Sequence, residues 1–365
     1  LTSTAAPAPV ASSGPDTEYF RVHRMVLDDG TVVAQSIISG PPEPPPGYDR
    51  PTSKLLAPSA AEGVNILPDV PAFNWSFGCS ATSAAMIAGY YDRTGYPNMY
   101  TGPTNGGMMP LDNSAWPDWQ DSSGAWRHQC PLSATHLGLD GRASKGHVDD
   151  YWIEYGDPGP DPFIGNWPEH SYEDCTGDFL KTNQSTYGNV DGGTSFWNYN
   201  SGLSLNCSDM PGLGAENDGT YGLKLFYESR GYSVIGCYNQ YIRGEASYPF
   251  LGFTYEQYRA EIDAGRPVLI HLEGHTMVGI GYDDASSLVY IHDTWDYQTH
   301  TMTWGGTYAD MQHYAVSIVQ LAPPGTPPAG PSDLIATTMG VDQINLTWTD
   351  NSSDEPGFGI ERSVD

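Results

Sequence analysis

Residues 267–296 read PVLIHLEGHTMVGIGYDDASSLVYIHDTWD, and this stretch decides the fold. Three short apolar runs, 267–272, 275–282 and 288–293, are separated by Glu-Gly and by the small polar loop 283–287. Runs of this length, rich in Val, Ile, Leu and Tyr and bounded by Gly, Asp and Ser, read as consecutive antiparallel strands. If 275–282 and 288–295 pair across the loop, Tyr282 faces Leu288, Ile280 faces Tyr290 and Met277 faces Asp293. His275 lies two positions from Met277, so it shares that face and is a diagonal neighbour of Asp293. Diagonal backbones are roughly 7–8 Å apart, within reach of an imidazole–carboxylate hydrogen bond. His292 and Asp296 have the opposite parity and fall on the other face. A one-residue slip of register would undo the pairing.

Further elements flank this core. A fourth apolar strand is expected at 313–321. A helix at 254–264 carries Tyr255, Tyr258 and Ile262 at helical spacing and ends at Gly265. Another over 221–230 precedes a strand at 232–235, and the clearest helix runs from Ser80 to Arg93, stopped by Gly95 and Pro97. Its start reads Trp75-Ser-Phe-Gly78-Cys79-Ser-Ala-Thr82-Ser. A cysteine in the first turn meets unpaired N–H groups and the positive end of the helix dipole, both of which favour the thiolate. Its own N–H can also receive a developing oxyanion. A helix-bearing half followed by a strand-rich half makes an α+β fold. Cys79 on a helix start, His275 on a strand and Asp293 on the next form a nucleophile, base and orienter.

The flanks are organised by composition. Residues 1–15 are a Pro/Ala/Ser-rich tail, 18–39 read as a hairpin around Asp29-Gly30, and 40–51 are a Pro-rich spacer. Residues 1–55 thus suit a pro-segment or an N-terminal brace ahead of a main domain at 60–322. The region 100–215 is rich in Gly, Asp, Trp and Tyr with few periodic stretches. A linker, PPGTPPAGP, occupies 323–331, and 332–365 alternate apolar and polar residues around Trp348.

The charge balance narrows the function. Fifteen Lys+Arg stand against 44 Asp+Glu, a net charge of −29, which leaves no basic surface for nucleic acid or anionic membranes. No run approaches the roughly 18 apolar residues of a membrane helix, so no membrane insertion is expected. Scattered cysteines (Cys79, Cys130, Cys175, Cys207 and Cys237), few Lys and a first residue other than Met suit a secreted protein whose leader has been removed. An odd cysteine count leaves one thiol unpaired, and the pairing of the other four is open. His271-Leu-Glu-Gly-His275 superficially matches a zinc motif, but Gly274 breaks the helix that motif needs. The acidic loops at 147–150 and 156–161 offer calcium-type oxygens without regular ligand spacing, so a solvated surface is the expectation. Neither metal nor cofactor is called for. His128, His136 and His313 read as structural.

Gly78-Cys79-Ser-Ala-Thr-Ser, Gly274-His275 before an apolar strand, and Ile291-His-Asp293-Thr-Trp295 resemble the papain-fold cysteine peptidases of the bacteriocin-processing (double-glycine) type, in particular secreted stand-alone members. The resemblance covers roughly 60–320. It implies a papain-like core and peptide-bond hydrolysis through a thioester, with the triad Cys79, His275 and Asp293. That family usually places a glutamine before the cysteine as second oxyanion donor. Here Asn74 or the indole N–H of Trp75 stands in its place. Residues 332–365 resemble the first strands of a fibronectin type III module. A secreted cysteine endopeptidase acting on peptides or proteins is the leading expectation. An amidase or transpeptidase on cell-wall peptides, and a non-catalytic adhesion protein, are the alternatives.

Overall fold

The computed structural model describes residues 16–52, 63–97, 99, 108–115, 130, 132–133, 175–190, 192–244, 250–324, 332–340 and 343–351, with two-residue strands at 9–10, 119–120 and 126–127. The acidic loops considered for calcium, His128 and His136 lie outside these residues. The chain divides into two compact units, Leu1–Leu321 and Ala322–Asp365.

In chain order the main elements of the first unit are β1 (Phe20–Val26), β2 (Val32–Ile38), β3 (Val64–Ile66), α1 (Cys79–Arg93), β4 (Thr194–Tyr199), α2 (Gly219–Ser229), β5 (Val234–Tyr241), α3 (Tyr255–Asp263), β6 (Val268–Leu272), β7 (His275–Asp283), β8 (Leu288–His292), β9 (His300–Thr303) and β10 (Met311–Leu321). The larger sheet runs β9–β8–β7–β6–β10–β5 and ends on the short strand Leu205–Asn206, with β3 also pairing β7. Helices and antiparallel sheet thus make an α+β fold. Every residue of β7 from His275 to Tyr282 is buried, with α1 and α3 packed against it.

Local chemistry accounts for these elements. In α3, the Thr254 hydroxyl accepts from Gln257 N–H while the Gln257 side chain accepts from Thr254 N–H, closing a capping box. In α2, the buried Asp218 carboxylate caps Thr220 and Tyr221 N–H. α1 is built from small residues, and all of Cys79–Asp92 is buried, which lets it lie close against β7.

The β7–β8 register differs from the simple hairpin at its turn and agrees with it at its far end. Asp283 pairs with Leu288 and Tyr282 with Val289, so the loop is one residue tighter than the sequence suggests. A bulge between Gly279 and Gly281 then absorbs one residue. Beyond it Val278 pairs with His292, which puts Met277 level with Asp293.

The N-terminal hairpin is part of the first unit. β1 and β2 pair from Phe20↔Ile38 to Val26↔Val32, and β2 continues onto β4 from Ile38↔Thr194 to Val33↔Tyr199. β4 falls in the region where the sequence shows few periodic stretches. Its residues Thr194–Asn198 are all buried, so no polar face marks it as a strand. In the second unit, β11 (Ser332–Thr338) and β12 (Ile344–Thr349) form an antiparallel hairpin with Leu334, Ile335 and Ile344 exposed. Cys207 and Cys237 are joined as a disulfide, and Cys79 is an unpaired buried thiol.

Candidate active site

The tight turn into α1 fixes the thiol. Gly78, at φ 150°, has no room for a side chain: a Cβ there would lie 2.7 Å from Thr182 Cγ2 and 3.0 Å from the Gly192 carbonyl oxygen. Thr82 Oγ1 accepts from Ser76 N–H (3.0 Å) and donates to the Gly78 carbonyl (2.8 Å), closing the loop over the first turn. Cys79 is the first helical residue and is fully buried. The helix start is then stitched to β7 beside His275. Ser80 Oγ meets Thr276 Oγ1 at 2.9 Å, and Ser83 Oγ donates to the Thr276 carbonyl at 3.0 Å. His271, whose Nδ1 lies 3.1 Å from Thr276 Oγ1, has a structural part in this network.

His275 is tied to the backbone through one nitrogen, and its other nitrogen lies near the thiol without a hydrogen bond to it. Its Nε2 is 2.7 Å from the Asp293 carbonyl oxygen. A carbonyl only accepts, so Nε2 carries the proton and Nδ1 presents a lone pair. Nδ1 is buried with no hydrogen-bond partner among the described residues. A Cβ built on Gly40 would fall 3.0 Å from Nδ1, 2.8 Å from Cys79 Cβ and closer still to Cys79 Sγ. Thiol and imidazole therefore flank one point, each within 3.0 Å of it. Trp295 stacks on the imidazole, with ring centroids 4.1 Å apart and planes 14° from parallel, and holds its orientation.

Asp293 meets His275 through its carbonyl, where the sequence reading uses its carboxylate. Thr294, at φ 67°, turns the chain just after β8 and aims that carbonyl back at β7. The carboxylate is engaged elsewhere: Oδ2 accepts from Arg50 Nη1 and from Tyr308 OH, each at 2.7 Å, and Oδ1 accepts from Trp295 N–H at 3.1 Å. Arg50 Nη2 reaches Asp296 at 2.7 Å, and His300 Nε2 lies 2.9 Å from the same carboxylate. Asp293, Asp296 and His300 bring ligand atoms within 4.8 Å of one another, the one such grouping among the described residues. The guanidinium of Arg50 sits among them and supplies the positive charge that a cation would supply there.

Burial sets the protonation states. It pushes the Cys79 thiol up to about 11, against hydrogen bonds from Thr276 and Ser80, and overrides the helix start that favours the thiolate. It pulls His275 down to about 4, although the Asp293 carbonyl and charge act the other way. The pair is therefore a neutral thiol beside a neutral imidazole.

The two oxyanion candidates are placed differently. The backbone of Asn74 is tied to the Asn113 side chain, its N–H donating to Asn113 Oδ1 at 3.1 Å and its carbonyl accepting from Asn113 Nδ2 at 3.4 Å. Trp75 packs in the same buried cluster as Cys79. A Cβ on Gly192 would lie 3.0 Å from the Ser39 carbonyl oxygen and 3.2 Å from Trp75 Cζ2, so indole edge and carbonyl share one pocket wall. The segment that covers the thiol and imidazole lies within the 1–55 that the sequence offers as a pro-segment or brace. Ser39, Gly40 and Pro41 cross the pair after β2, and Trp295 Nε1 donates to the Pro41 carbonyl at 2.9 Å. The GPPEPPPGYDRP composition signals an extended strap but not what lies beneath it.

A buried thiol at a helix start thus lies near an imidazole on an antiparallel sheet. Residues 195–316 match the family model described as the Peptidase_C39 like family, which supports a C39-like peptidase domain and a cysteine peptidase-like function in general. The match includes His275 and Asp293 and begins after Cys79. No curated protein and no solved structure matches the chain.

Proposed function

We propose that the chain is an extracellular cysteine endopeptidase that cleaves peptide bonds through a thioester on Cys79. The observation that carries this reading is the lone pair of His275 Nδ1 and the Cys79 thiol flanking the backbone at Gly40, with Nε2 tied to the Asp293 carbonyl. His275 takes the thiol proton as sulfur attacks and returns it to the leaving amine. Asp293 acts as orienter through its backbone, and Trp75 and the Cys79 N–H are the oxyanion donors this reading assigns. The Cys207–Cys237 disulfide and the scarcity of lysine favour an oxidising compartment. Residues 332–365 are read as the opening strands of a fibronectin type III module that carries the enzyme to its surface. Residues 1–55 act as a pro-segment, with Ser39–Pro41 over the thiol and imidazole. The test is hydrolysis of a fluorogenic peptide mixture by the full chain. Cys79→Ala and His275→Ala are each expected to lower the rate by about a thousandfold or more with the circular dichroism spectrum unchanged. Hydrolysis that survives Cys79→Ala overturns the proposal.

A further inference from the structure

We infer that the chain's own Ser39–Gly40 peptide bond is the first substrate of this site, cut in cis by Cys79. The inference rests on the cysteine peptidase reading and goes beyond it by naming a bond.

The acyl side of that bond is clamped. β2 is held between β1 and β4 up to Ile38, Ser39 N–H donates to the Tyr19 carbonyl at 3.0 Å, and Ser39 Oγ lies 3.4 Å from the Val190 carbonyl. The thiol already lies at this bond, with Cys79 Sγ donating to the Ser39 carbonyl oxygen at 3.7 Å. The leaving side is clamped too, because Trp295 fixes the Pro41 carbonyl while stacking on His275. Between the clamps sits Gly40 at φ 68°, a left-handed conformation that a side chain disfavours, where any Cβ would run into Cys79 and His275. Glycine is the residue that lets the backbone come this near the dyad. Pro41 follows with a fixed φ and begins the stiff run Pro-Pro-Glu-Pro-Pro-Pro, so the carbonyl is presented with little freedom. Holding a thiol and a carbonyl together in this way is what converts a slow bimolecular attack into a fast internal one.

The step balances within the chain and water. Sulfur bonds to the Ser39 carbonyl carbon as its proton passes to His275 Nδ1. The tetrahedral centre collapses, the C–N bond to Gly40 breaks, and His275 hands the proton to the Gly40 nitrogen. Water, activated by the same imidazole, then hydrolyses the thioester to leave Ser39 with a carboxylate and Cys79 as a thiol. Residues 20–39 stay in place through the β1–β2–β4 ladder, while Gly40 becomes the free end of the strap and the cleft above Cys79 opens.

The experiment follows purified full chain over time by intact mass and N-terminal sequencing, with peptide hydrolysis measured alongside. A new N-terminus at Gly40 is expected, appearing at a first-order rate independent of protein concentration, with hydrolysis rising in step. Cys79→Ala, and Cys79→Ser if the alanine variant misfolds, are expected to remain uncut. Gly40→Ala is expected to slow the cut at least tenfold. A wild-type chain that hydrolyses peptides while staying intact, or is cut at another bond, overturns this inference and spares the peptidase reading. Cleavage that scales with concentration, or persists in Cys79→Ala, overturns it as well. Neither cleavage nor hydrolysis would sink both readings.

Discussion

Replacing Arg50 with Met removes the positive charge from the acidic pocket behind the dyad. Asp293 is wholly buried and pairs with Arg50 at 2.7 Å, so the variant leaves a buried carboxylate without its principal counter-charge. Breaking a buried pair from one side costs about 3–5 kcal/mol. The Tyr308 hydroxyl and Trp295 N–H still donate to Asp293, and the Arg50 side chain is 17% exposed, which screens part of the loss. The second bridge, to Asp296, is 29% exposed on the acid side and adds little. A net loss of about 2–3 kcal/mol is expected near pH 8. His300 gives the result a direction in pH. Burial pulls its pKa down, but the Asp296 hydrogen bond and the charges of Asp293 and Asp296 raise it above the ordinary value, while Arg50 opposes them. A histidine raised on folding stabilises below its unfolded pKa and loses that contribution as pH climbs through the folded one. Without Arg50 the imidazolium is favoured further, so it substitutes for the guanidinium as pH falls. The deficit is expected to shrink between about pH 8 and pH 6, where histidine titrates. Urea unfolding of both proteins at several pH values measures it. A loss under about 0.5 kcal/mol at every pH would mean that Asp293 is compensated by other means, and the argument would fall.

Asp218 accepts from Thr220 N–H (2.8 Å), Tyr221 N–H (2.9 Å), Trp197 N–H (2.7 Å) and Asn239 Nδ2 (2.6 Å), so Asp218→Ala strands several buried donors at once. A loss of about 3–5 kcal/mol in urea unfolding is expected, and a loss below about 1 would refute the role. Opening the Cys207–Cys237 bridge, which spans 30 residues, by the paired Ser variant lowers stability by about 3–4 kcal/mol, read from the same denaturation curve; no change would show that the bridge restrains little. In the uncut His275→Gln chain the strap still covers Cys79, whose thiol is pushed up to about 11 from an ordinary 9.0, so it carries about 100-fold less thiolate. Iodoacetamide labelling with peptide mapping is expected to lag an ordinary thiol by at least that factor, and an ordinary rate would contradict the burial.

What the sequence discloses follows the range of the interactions involved. α1 and α3 begin and end within a residue or two of the expected bounds because their caps and glycine stops are local. Met277 falls level with Asp293, as the sequence suggests, through two departures that offset each other: the loop at 284–287 is tighter by one residue, and the bulge at Ile280 restores the count. Beside that bulge β3 packs closely, its Asn65 carbonyl oxygen and Ile66 Cα lying 2.6 and 2.8 Å from where a Cβ on Gly281 would be. A contact with a strand more than two hundred residues upstream leaves no mark on the local pattern. The fate of the Asp293 carboxylate is equally non-local, since Arg50 lies 243 positions away in sequence.

The strap turns the protonation states of the dyad into a question of coverage. Helix start and imidazole together favour a thiolate–imidazolium pair in water, and the same atoms under Ser39–Pro41 are a neutral thiol and a neutral base, because burial raises one pKa and lowers the other. Neutrality does not idle the site against the bond that covers it, since proton transfer and attack are concerted over a few ångströms in a dry pocket. It does idle the site against every other nucleophilic task, which needs both access and a standing thiolate. Once the strap leaves and water returns, the thiol pKa falls and the imidazole pKa rises toward each other, and the activity–pH profile on external peptides reports that converged pair. A cut chain whose Cys79 still titrates near 11 would show that something other than the strap keeps the site dry.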